Sequence, residues 1–160
     1  MTSPKQAKYI RIETIISVVF NTVISVIFAL VASQGVARVP MWGVTGMAVD
    51  FVPTVVMITL VTTIIETLLA GKRVRAGTIE ALPPEAGGWL AWAPQNAILR
   101  GLVYALLAAL VVIPVTVGLL ALLGVDGMDT KLFIPFKAIY GAALAALITP
   151  HIVRAALARR

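Results

Sequence analysis

Four long apolar runs, separated by short polar breaks, constrain this chain more than any other feature. They cover Thr14 to Ala37, Phe51 to Ala70, Gly101 to Val125, and about Leu132 to Leu157. Only Glu66 interrupts the second; the third is uncharged, and the fourth carries Lys137, His151 and Arg154. Crossing a hydrocarbon core of ~30 Å takes about 20 helical residues, so the first three runs are long enough to span a bilayer. The fourth spans if Lys137 reaches one interface and the His151–Arg154 end lies at the other. Strands of a membrane barrel would alternate apolar and polar residues over ~10 positions, whereas these runs are continuous. The expectation is helices.

Composition supports a lipid solvent. Of 160 residues, 60% are hydrophobic and 12% charged, and the mean hydropathy is +1.00. Soluble domains run at roughly 45–50% apolar and about 25% charged. Too few charges remain to coat a water-soluble globule, and disorder needs the opposite composition. The net charge of +6 does not point to nucleic acid, because the basic residues flank the apolar runs and form no basic face interleaved with aromatics. The chain has no cysteine, which excludes disulfides, thiolate metal sites and thiol catalysis.

Lys and Arg set an expected orientation. Lys5, Lys8, Arg11, Lys72, Arg73, Arg75, Arg100, Arg154, Arg159 and Arg160 lie on one side of the spans, against Arg38, Lys131 and Lys137 on the other. The positive-inside bias then puts both termini and the middle loop in the cytoplasm of a cell with a bacterial-type inner membrane. The basic start at Lys5, Lys8 and Arg11 resembles a signal peptide, but the apolar run behind it exceeds the usual 7–15 residues, and Ala32-Ser33 is a poor cleavage site. The first run is therefore read as a retained span.

An internal repeat organises the chain. Gly43-Val44-Thr45-Gly46-Met47 matches Gly124-Val125-Asp126-Gly127-Met128 at four of five positions, and Phe51-Val52-Pro53 then matches Phe133-Ile134-Pro135. The glycines suit tight turns and the prolines suit a first helical turn. Local turn chemistry recurring in any hairpin would give the same pattern. The repeat reading makes residues 12–70 a first hairpin and 96–158 a second, parallel copy. Residues 71–95 form a linker between them, all within one integral membrane domain spanning 1–160. Leu82-Pro83-Pro84 and Gly87-Gly88 break helix in the linker, and Trp89 and Trp92 suit the headgroup region, with Trp42 as their counterpart at the other face.

Polar residues inside the spans carry what functional signal there is. Thr14, Ser17, Asn21 and Ser25 form one stripe on the first span, and Thr59, Thr62, Thr63 and Glu66 another on the second. The fourth presents small-residue rows, Ala138/Ala142/Ala146 and Gly141/Ala145/Thr149, which let helices approach closely. Interhelical packing explains the stripes; a hydrated path between the first two spans, lined by hydroxyls and Asn21, is the functional reading. Glu66 lies roughly 9 Å inside the interface marked by Lys72. A carboxylate there must be paired, protonated or hydrated. The expected setting is a polar cluster of Glu13, Asn21, Glu66, Arg100, His151 and Arg154, with Glu66 paired to Arg100, Arg154 or His151. That cluster is either a static ion pair closing the bundle or a proton-coupled or anion-contacting site.

Enzyme chemistry is not expected. A lone histidine without Glu-x-x-His spacing is a weak metal ligand, and no phosphate loop, supported nucleophile or catalytic carboxylate pair is present. Asp126-x-x-Asp129 reads as turn chemistry, and Pro114 is placed to kink the third span. No cofactor or metal is expected. The sequence therefore points to a four-transmembrane-helix bundle of two tandem hairpins with both termini inside. As function it suggests a small oligomeric transporter or channel-like protein for a small solute or ion. The alternative is an accessory or assembly subunit that docks on a larger membrane complex through the Ala/Gly faces of the fourth span. Membrane lipid is the surrounding partner in both readings.

Overall fold

A computed structural model describes residues 2–90 and 92–158. Helix α1 runs Pro4–Ala32, α2 Met47–Arg75, α3 Ala97–Leu122 and α4 Thr130–Leu157. A short 3₁₀ segment, Pro84–Leu90, precedes α3, and two three-residue strands, β1 (Arg38–Pro40) and β2 (Gly127–Asp129), precede α2 and α4. All four long helices are apolar enough to cross a membrane, as a multi-pass membrane protein requires. At 26–29 residues they run about 39–44 Å, longer than the ~30 Å hydrocarbon core, so their ends project beyond it.

Local chemistry moves the helix ends away from the hydropathy boundaries. α1 begins at Pro4, not near Thr14, because Ser3 and Gln6 form a reciprocal capping box and Pro4 occupies the first turn. It ends at Ala32, and Gly35 at φ 75° turns the chain. Asn96 starts α3 by accepting from the amides of Ile98 and Leu99. α2 has Asp50 in its first turn and Lys72, Arg73 and Arg75 in its last, the arrangement that complements the helix dipole. α3 continues through Pro114.

The helices do not pack as two sequential hairpins. α1 lies along α4, α4 along α2, and α2 along α3, while α1 and α2 meet only sparsely. The reason is side-chain size. The Gly141 row of α4 admits α1 closely enough that a Cβ on Gly141 would lie 2.1 Å from Ser25 Oγ, and Gly101 of α3 likewise nests against Leu60 and Ile64 of α2. α4 is thus central. α3 is the most outward helix, burying only Arg100, Gly101, Tyr104, Ala105 and Leu120.

Strands β1 and β2 pair antiparallel, Arg38 opposite Asp129 and Pro40 opposite Gly127, tying the α1–α2 and α3–α4 connections together at one end. Phe51 and Phe133 are both fully buried there, with Met41 and Met47. At the opposite end Tyr9, Ala70, Leu82 and Val153 form a second cluster. The linker is folded onto this end: the Leu82 amide donates to Leu157 O, and Gln6 Nε2 donates to Glu80 O. Trp89 and Trp92 point outward, each 66% exposed.

The two matched motifs share a left-handed glycine, Gly43 at φ 99° and Gly124 at φ 70°. Beyond it they diverge, since Gly46 caps α2 directly whereas Gly127 opens β2. Pro53 and Pro135 lie in the second turn of their helices, not the first, because α2 starts at Met47 and α4 at Thr130. Arg159 and Arg160, part of the basic count, lie outside the described residues.

Candidate functional site: a buried polar seam

α1 is built inside out. Its buried positions include Gln6, Tyr9, Glu13, Ser17, Asn21 and Ser25, while Ile16, Val19, Phe20, Val23 and Ile27 face outward. In water this helix would turn over; in lipid an apolar face outward and a polar face inward is the stable arrangement. The buried row advances by four residues, so it takes in Glu13 and leaves Thr14 half-buried, bonding back to Ile10 O. Opposite it stand Thr59, Thr62, Thr63, Glu66 and Thr67 of α2 and Thr149 of α4, all buried.

Four of these residues, Thr149, Ser17, Asn21 and Thr62, form a line of hydrogen bonds through the middle of the molecule. Thr149 Oγ1 donates to Ser17 Oγ at 2.9 Å. Asn21 Nδ2 donates to Ser17 O at 2.8 Å and lies 3.4 Å from Thr62 Oγ1 on α2. Asn21 therefore has the partner that its depth demands.

At the end carrying the described chain ends, Glu13 and Glu66 face each other across α1 and α2. Arg73 reaches Glu13 Oε1 at 3.1 Å and lies over the Tyr9 ring, 4.6 Å from its centroid. Glu66 is 4% exposed, and no donor among the described residues reaches its Oε2. Glu13 and Arg73 are the charged side chains whose fields act on it, together with the phenol of Tyr9.

At the other end Lys137 is completely buried. Its Nζ donates to Asp50 Oδ2 and Thr54 Oγ1, both at 2.5 Å, and sits 5.8 Å from the Phe51 ring centroid. Spanning by the fourth run was conditional on Lys137 reaching an interface; with its charge met inside the protein, α4 does not need that condition. Lys137 shares a helix face with Gly141, Ala145 and Thr149 at four-residue spacing, and the same packing that buries those residues buries the lysine.

The structure brings together only part of the expected cluster. Glu13, Glu66 and Asn21 share one cavity. Glu66 is not paired to Arg100, Arg154 or His151. Arg100 is buried, but its Nε donates to Pro94 O and its Nη1 to Ala155 O, which holds it at the start of α3. His151 and Arg154 point away from the seam, because the inward face of α4 there is occupied by Thr149, Ile152 and Val153. Arg73, Lys137 and Asp50 were absent from the expected cluster. The four-residue rows through Lys137 and Glu13 were the signals that could have identified this seam.

Because α1 and α2 scarcely touch, a cleft opens between them. One cavity of about 380 Å³ has Asn21, Ser25, Asp50 and Thr54 on its walls. A second, of about 160 Å³, has Glu13, Asn21, Thr62 and Glu66. Phe20, Asn21 and Val61 line both, so the two chambers lie side by side between α1 and α2. Among the described residues no group of three metal-ligating side chains comes together.

No protein-family model matches the chain, and neither does any curated protein or solved structure.

Proposed function

We propose that this multi-pass membrane protein is a small transporter or channel-like protein, with the cleft between α1 and α2 as the path for a small solute or ion. The observation that carries the reading is Glu66: a carboxylate, buried within a membrane-spanning helix, beside a cavity and with an oxygen lacking a donor among the described residues. A structural ion pair would satisfy both oxygens, since an uncompensated buried carboxylate costs several kcal/mol. A working site keeps one open.

The proposal includes an oligomer, both termini in the cytoplasm, a bacterial-type inner membrane, the tandem repeat and no enzymatic activity. Ten of the thirteen Lys and Arg residues at the termini and middle loop support the orientation, and the left-handed Gly43 and Gly124 support the repeat. The outward α3 leaves Leu102, Leu106, Leu110 and Val115 for lipid or a second copy. Of the two small-residue rows through which an accessory subunit would dock, Gly141 and Ala145 are buried, with Gly141 packed against α1, while Ala146 is exposed and Ala138 and Ala142 are half-buried.

Reconstitution tests the proposal. Proteoliposomes should pass a proton or small-ion flux that Glu66→Gln and Asn21→Ala abolish. Silent vesicles, with stable co-purification of a much larger membrane partner, would favour the accessory reading instead.

A further inference from the structure

We propose that the α1–α2 cleft binds a lipophilic monocation, an organic ammonium or phosphonium, and that Glu66 exchanges a proton for it. This assignment rests on the reading of the cleft as the solute path, and it adds the chemical class of the ligand.

The charge balance selects the sign. At the Glu66 end two carboxylates, Glu13 and Glu66, line one cavity, and among the described residues the guanidinium paired there is that of Arg73, on Glu13. At the other end Lys137 and Asp50 cancel. Counted over the described residues, the seam therefore holds either one unmatched negative charge or one proton. Among the described residues, no second cation is hydrogen-bonded or ion-paired in this chamber. α4 presents Thr149 there while Arg154 lies in a separate pocket beside Arg11, and Arg100 of α3 is directed to the carbonyls of Pro94 and Ala155. An anion would meet repulsion from Glu13 and Glu66, and the ammonium that could receive it, Lys137, is held by Asp50 and Thr54. A cation supplies what Glu66 Oε2 lacks.

The walls select the body of the ligand. Phe20, Ile24 and Phe28 of α1 face Met57, Ile58 and Val61 of α2 across the larger chamber. Phe20 and Phe28 are half-exposed, so the cleft opens sideways toward the lipid that surrounds α1. The larger chamber, of about 380 Å³, is of the size that takes a small organic ligand, lined mainly by apolar groups with a few placed polar ones, and the Glu66 chamber adjoins it. Aromatic faces also attract a desolvated cation. A hydrated inorganic ion would gain little from these walls.

The exchange balances. As the cation enters, protonated Glu66 releases its proton from the carboxyl O–H to water, and the carboxylate neutralises the cation. As the cation leaves, Glu66 takes a proton back. No bond other than O–H breaks or forms.

Titration of the purified protein in detergent with tetraphenylphosphonium tests this, by calorimetry in two buffers of different ionisation enthalpy. The expected result is saturable binding with release of about half a proton per cation where free Glu66 is half-ionised, rising toward one at lower pH as long as the cation-bound form stays ionised. Glu66→Gln should abolish proton release and weaken binding by about tenfold or more, and Phe20→Ala should weaken binding while proton release persists. Tetraphenylborate, of the same shape and opposite charge, should not saturate. Wild-type binding without proton release, or equal binding of the borate, would overturn the assignment without recourse to any variant. Ion flux in vesicles with no phosphonium binding would sink this inference and leave the transport reading standing. Binding with proton release but no flux would do the reverse.

Discussion

The two ends of the seam are built from similar charges and reach opposite solutions. At one end Lys137, wholly buried, has an acceptor in Asp50 and another in Thr54. At the other, Glu13 has Arg73, itself 43% exposed, and Glu66 is left with an oxygen unserved by the described residues. The first is a closed structural unit that ties α4 to α2. The second is an open one, beside a cavity and next to a cation that water can reach. Burial alone therefore does not mark a working group. What separates the two ends is the match of donors to acceptors around each buried group.

Substitutions should separate the two ends. Lys137→Met leaves Asp50 desolvated and unpaired, and should destabilise the protein by about 3–5 kcal/mol, while Lys137→Met with Asp50→Asn should recover most of that loss. Thermal unfolding in detergent measures both; equal losses in the single and double variants would break the contrast. Gly141→Ala places a Cβ against Ser25 and should cost on the order of 1–3 kcal/mol, relieved by Ser25→Gly. Glu66→Gln removes a charge without removing a partner, so its unfolding temperature should equal or exceed that of the parent even as flux is lost. A large drop in stability would instead make Glu66 a structural group. Glu66→Ala and Arg100→Ala should be additive, whereas Glu13→Ala and Arg73→Ala should couple weakly, by under about 1 kcal/mol given the exposure of Arg73. The smallest effect belongs to the exposed pair of Arg38 and Asp126, where Arg38→Ala should change stability by no more than about 1 kcal/mol.

Much of this was legible from residue order. The four spans follow from hydropathy because lipid leaves helix as the way for a single segment to satisfy its own backbone. The Ser17, Asn21 and Ser25 stripe and the isolation of Glu66 follow from helical spacing. The charged surroundings of Glu66 did not. Arg100, His151 and Arg154 lie at the right depth, but depth is one coordinate and pairing needs rotation about each helix axis as well. Arg73, seven residues along the same helix as Glu66, was read only as part of a basic flank, although two helical turns bring it onto the same face. The fourth run was read as spanning if Lys137 reaches an interface, the usual fate of a lysine near a span end. Here Asp50 and Thr54 on the neighbouring helix remove the need for it.

The amino-acid order by itself determined that the chain makes four membrane-length helices, because continuous apolar length is a local property that needs no knowledge of neighbours. Only the tertiary structure decided which helices touch. Connectivity suggested α1 with α2 and α3 with α4, but contact follows side-chain volume, and the small residues of α4 draw α1 away from α2. That displacement opens the cleft and leaves Glu66 beside it.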